Sequence, residues 1–101
     1  MAEQRYRVLG DVDLAGASEL QDELLAVVNS TTDDLVLDCD GLEFVDSTGI
    51  AVFVHTQRVL ELQGRGLRVV NLSGMARRAF ELLGLGDVLS IADDAAEPRA
   101  S

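Results

Sequence analysis

Short apolar runs alternate with stretches of helical period along the whole chain, and that alternation limits the fold more than any other feature. Tyr6 and Val8 interleave with Arg5 and Arg7 as a half-buried strand does, and Gly10-Asp11 reads as its closing turn. Downstream of Gly16, Leu20, Leu24, Val27 and Val28 recur at helical spacing to about Asn29, with Ser18 or Asp13 available as the N-cap. After the turn cluster Ser30-Thr31-Thr32-Asp33, the run Leu35-Val36-Leu37 between Asp34 and Asp38 reads as a strand buried on both faces. Phe44-Val45 is a second apolar touch before a helix that starts at Asp46-Ser47, carries Ile50, Phe53, Val54 and Leu60, and runs to about Gln63 before Gly64-Arg65-Gly66. Leu67 to Leu72 predicts a third strand. A third helix, capped by Ser73, would carry Ala76, Phe80 and Leu83 and stop at Gly84, ahead of Val88-Leu89-Ser90-Ile91.

Strand-helix-strand repeats call for right-handed crossovers, so the expected fold class is α/β, with helices packed on a small sheet that is parallel at least in part. A chain of 101 residues with 48% hydrophobic content can fill one core and not two. The expected domain spans residues 1–91, and residues 92–101, aperiodic and rich in acid, form a frayed tail.

Composition then removes whole classes of function. Eighteen acidic residues against eight arginines give a net charge of −10, which repels phosphate backbones and anionic lipid. Four aromatics and no Trp leave no platform for stacking bases, so nucleic acid is not an expected partner. The absence of lysine removes the P-loop and Schiff-base chemistries. Cys39, the one cysteine, cannot form an internal disulfide, residues 1–5 lack the marks of a signal peptide, and no apolar run approaches the ~18 to 20 residues that span a bilayer. Together these point to a cytoplasmic protein with no membrane partner.

Chemistry concentrates in Leu42-Glu43-Phe44-Val45-Asp46-Ser47-Thr48-Gly49-Ile50. Ser47 stands where an extended segment becomes a helix, as a cap, a nucleophile or a phosphate acceptor. A cap alone explains Asp46 or Ser47, but Gly49 in a first turn costs about 1 kcal/mol relative to alanine, and no Glu or Gln follows Ser47 by three. Asp46, Ser47 and His55 are the residue types of a hydrolase triad. Eight positions on one helix, however, separate Ser47 from His55 by ~12 Å, and G-x-S-x-G is absent. No second His or suitably spaced carboxylate gives His55 a metal set, so neither catalytic residue nor metal nor cofactor is expected. Phosphorylation fits the physics better. Free amides and the positive end of the helix dipole favour phosphate at Ser47, and Gly49 would clear bulk for another protein's active site.

Gly10-Asp11-Val12-Asp13, the Leu42–Ile50 segment, Gly64-Arg65-Gly66-Leu67 and Phe80-Glu81-Leu82-Leu83-Gly84-Leu85 occur in an order and spacing that resemble the bacterial anti-sigma factor antagonists, which are single STAS domains. The resemblance runs from Gly10 to Ile91. It implies a mixed sheet of four to five strands with helices mainly on one side. It further implies that Ser47 is phosphorylated by a cognate anti-sigma factor acting as a serine/threonine kinase. The unphosphorylated form would bind that kinase and free a sigma factor, and a phosphatase would reset Ser47. Asp46, Thr48 and Gly49 would form the docking rim with Asp13 close by. Relatives often carry an extra strand ahead of the one at Tyr6–Leu9, so the sheet edge here is expected to be shorter or rearranged, and the protein a monomer or weak dimer. The competing expectation is a constitutive scaffold or ligand-sensing STAS module in a larger stress-signalling complex, with Ser47 only a cap. Thr31, Thr32 and Ser73 are further hydroxyls open to modification.

Overall fold

The computed structural model describes residues 2–72, 74–84 and 90–92, the side chains of Ser90 and Ala92 excepted. Strands and helices alternate as β1 (Glu3–Val12), α1 (Leu14–Ser30), β2 (Asp34–Val45), α2 (Ser47–Leu62), β3 (Leu67–Val70), α3 (Gly74–Leu82) and β4 (Ser90–Ala92). The described strands form one four-stranded sheet in the order β1-β2-β3-β4, and every pairing is parallel. The expected mixed sheet is therefore parallel across the described strands, because each strand reaches the next through a helix and never through a hairpin. Crossovers of one hand that always step in the same direction set all the helices on one face.

Under those helices lies a single apolar cluster. Val8, Leu35, Leu37, Cys39 and Val69 from the sheet meet Leu24 of α1, Phe53 and Leu60 of α2, and Phe80 of α3. Phe53 and Phe80 pack edge to face, ring centroids 5.2 Å apart, and so tie α2 to α3. The opposite face of the sheet is charged and internally paired. Arg5 bridges to Asp38 at 3.1 Å, Arg7 to Asp40 at 3.8 Å and Arg68 to Glu3 at 3.1 Å. The last pair joins β3 to β1 across β2, over Val36, which is buried.

This two-sidedness explains where the elements exceed their sequence signals. β2 does not stop at Asp38 but continues to Val45, since Asp38 and Asp40 point to the charged face and find partners there. Burial on both faces thus holds for Val36 but gives way to a salt-bridged face beyond it. β1 runs past Gly10, whose φ of +72° and the register shifts on either side make a bulge where a turn was expected. The strand begins at Glu3 and forms one edge of the described sheet. β3 stops at Val70, ahead of Asn71, a non-glycine at φ +64° whose side chain donates to Asp38. Leu83 lies beyond α3 and is exposed, not part of the helix's apolar face. Ala92, read as the first residue of the tail, closes β4 opposite Val70. Ser73, Val88, Leu89 and residues 93–101 lie outside the described residues.

Candidate functional site

Two strand-to-helix turns stand side by side at the carboxyl edge of the sheet. Val12 ends β1 and Val45 ends β2, and the two are register partners. The next residue in each case is an aspartate that caps the following helix: Asp13 accepts from the Gly16 amide at 3.0 Å, and Asp46 accepts from the Thr48 and Gly49 amides at 2.9 and 3.1 Å. Both turns are Val-Asp-x-x-Gly, at residues 12–16 and 45–49. This repeat was present in the sequence and is the signal that would have brought the first turn into view. Since neighbouring strands lie about 4.8 Å apart, the two helix N-termini are neighbours, joined by a bond from the Asp46 amide to the Val12 carbonyl at 3.3 Å.

The glycines let these turns close. A Cβ on Gly49 would sit 2.4 Å from the Val12 carbonyl oxygen and 2.7 Å from side-chain carbons of Val12 and Val45, and one on Gly16 would sit 2.8 Å from the Asp11 carbonyl oxygen. Gly49 is buried. Its lack of a side chain serves the packing of α2 on β1 and β2 and does not clear an approach from solvent.

With Asp46 as the cap, Ser47 is left at the first helical position, exposed, and its hydroxyl makes no hydrogen bond among the described residues. Most of the first-turn amides expected to be free for a phosphate are already taken. Those of Thr48 and Gly49 donate to the Asp46 carboxylate and that of Ile50 to the Asp46 carbonyl.

Thr48 is half-buried and lines a groove between α1 and α2 with Leu14, Ala17 and Val52, while Ser47 lines a second groove of about 520 Å³ beside Ile50, Val54 and Leu83. His55 borders both grooves, two turns along α2 from Ser47, with no hydrogen bond to it. Cys39 is buried in the core, and burial, then the charge of Asp38, pushes its thiol up to about 12, far from a nucleophile's range. Tyr6 is likewise pushed up to about 12, by burial and by its hydrogen bond to Glu23. Asp38 is pulled the other way. Burial raises its carboxyl, but donation from Asn71 at 2.9 Å, from the Asp40 amide at 3.1 Å and from Arg5 outweighs burial and holds it below the usual value. Among the described residues no cluster of His, Cys, Asp and Glu could hold a metal ion.

The family described as "Mlab, STAS domain" matches residues 2–91 of this sequence. The chain belongs to the STAS-domain family. An anti-sigma-B factor antagonist of Bacillus subtilis is 32% identical to this STAS domain over 86% of the chain and 79% of its own length. The phosphorylated form of the Bacillus cell-fate determinant SpoIIAA shares the fold at a TM-score of 0.68, with 21% identity over 93% of this chain and 86% of that one. A sulfate transporter family protein of Wolinella succinogenes does so at 0.72, with 17% identity over 89% and 75%. No described helix is long and apolar enough to cross a membrane.

Proposed function

We propose that this STAS domain is an anti-sigma factor antagonist switched at Ser47. In the unmodified state it binds a cognate anti-sigma factor that is also a serine/threonine kinase, and so frees the sigma factor. Phosphorylation of Ser47 by that kinase ends the binding, and a phosphatase restores it. The observation that carries the reading is the exposed Ser47 hydroxyl, held at the first position of α2 with no hydrogen bond among the described residues because Asp46 performs the capping. The B. subtilis relative, named an anti-sigma-B factor antagonist, supports the same role.

Asp13, Asp46 and Thr48 contribute the docking rim around Ser47, and Gly49 acts beneath them by letting α2 seat. The STAS domain performs no catalysis, since its one imidazole is about 12 Å from Ser47 along the helix and its thiol is buried. A phosphoryl group adds about −1.5 to −2 charges beside Asp46. The partner then reads repulsion and bulk at the dock, with no change of fold required.

Incubation with the anti-sigma factor kinase and ATP, followed by intact mass and peptide mapping, tests this. One phosphoryl group on Ser47, absent from Ser47→Ala, is the expected result. Modification at Thr31 or Thr32 in its place, or none at all, overturns the proposal. The competing reading is a constitutive scaffold or ligand-sensing STAS module in a larger stress-signalling complex. That reading requires Ser47 substitutions to leave assembly unchanged.

A further inference from the structure

Leu14 occupies in the first turn the position that Ser47 occupies in the second. Each follows a capping aspartate and precedes, by two residues, a glycine that closes the turn. Because Val12 and Val45 are register partners, the two side chains leave the same edge of the sheet next to each other. Leu14 is 74% exposed, at the mouth of the groove between α1 and α2 that Thr48 also lines. A leucine held in water at a helix's first position does nothing for the helix that serine or aspartate would not do better. The fold therefore gives no reason for it.

The charges around it are distributed unevenly over the molecule. On the open face of the sheet, Glu3, Asp38 and Asp40 each have an arginine. At the edge that carries Leu14 and Ser47, Asp11, Asp13, Glu43 and Asp46 have no ion pair among the described residues. Asp13 and Asp46 are held by helix amides and Arg58 lines the groove beside Ser47, but an apolar side chain at an edge whose carboxylates lack a basic partner is complementary to an apolar pocket bordered by Arg or Lys.

We propose that Leu14 is the apolar anchor of the dock at which Ser47 is the switch, and that its occupant is a basic surface, with a pocket for leucine, on the kinase that phosphorylates Ser47. This rests on the function proposed above and divides it between two residues. Leu14 supplies affinity to the unphosphorylated form, and phosphorylation of Ser47 overrides it.

Calorimetry with the purified anti-sigma factor kinase that phosphorylates the wild-type chain provides the test, using Leu14→Ala, Leu14→Met, Leu62→Ala and Ser47→Glu. Leu62 is the control, 89% exposed at the far end of α2. Leu14→Ala should weaken binding about tenfold, Leu14→Met should retain most of it, Leu62→Ala should match wild type, and higher salt should weaken all of them. Thermal melts matching wild type show that Leu14→Ala remains folded. If Leu14→Ala binds as wild type while Ser47→Glu does not, the anchor is overturned and the switch stands. If Ser47→Glu also binds as wild type, the switch falls and the anchor with it. Sedimentation in which Leu14→Ala abolishes self-association would assign the leucine to a second copy of the chain and overturn the proposal as well.

Discussion

Gly49→Ala sets two physical effects of opposite sign against each other. Helix propensity alone favours alanine in the first turn of α2 by about 1 kcal/mol. The structure places the new methyl 2.4 Å from the Val12 carbonyl oxygen, where ordinary contact begins at 3.4 Å, with further contacts at 2.7 Å to Val12 and Val45. The near atom is backbone, at the last pair of the β1–β2 register and itself bonded to the Asp46 amide, so it cannot swing aside, and α2 must withdraw by about 1 Å. Overpacking of this kind costs about 1–3 kcal/mol. Withdrawal also stretches the Asp46-to-Val12 hydrogen bond, already 3.3 Å, which contributes roughly 0.5–1.5 kcal/mol. The sum is a net destabilisation of about 0.5–3.5 kcal/mol, or roughly 4–8 °C in Tm per kcal/mol for a domain of this size. Urea titrations followed by circular dichroism read the free energy directly. A Gly49→Ala variant more stable than wild type by about 1 kcal/mol would refute the close approach and leave propensity as the whole account of the position.

Two further substitutions test the site and its support. Asp46→Ala removes the acceptor for two amides and should cost about 1–2 kcal/mol, whereas Asp46→Asn should retain most of the stability; equal melting temperatures for wild type and Asp46→Ala would contradict the capping role. Asp38 is held below its usual value in the folded state, so its contribution to stability is present above about pH 4 and is lost as pH falls through the lowered folded value. Wild type should therefore lose more stability than Asp38→Asn between neutral pH and pH 3, measured by urea titration at each pH. Parallel pH profiles would sink this assignment.

Helices were more legible in the sequence than strands, for a physical reason. The apolar spacing of Leu20, Leu24 and Val28, and of Ile50, Phe53 and Leu60, is a local property that survives without knowledge of the sheet, and these side chains are buried as expected. The length of β2 was not legible, because Asp38 is tolerated mid-strand largely through partners remote in sequence, Arg5, 33 residues earlier, and Asn71, 33 later. Gly10 looked like a turn because its positive φ is common to turns and bulges, and pairing with β2 decides between them. At the site, the serine and its capping neighbour could be read in advance. The division of labour could not, since whether Asp46 or Ser47 caps α2 depends on backbone direction at the end of β2. The inward direction of Gly49 depends on Val12, which enters from another strand.

The central claim is that the charge state of Ser47 sets partner affinity. Its most direct test is a binding isotherm of the purified anti-sigma factor kinase with this STAS domain, unmodified and phosphorylated at Ser47, at one salt concentration. The account predicts that the phosphorylated form binds at least about tenfold more weakly, a difference of about 1.4 kcal/mol. Equal affinities for the two forms would contradict it.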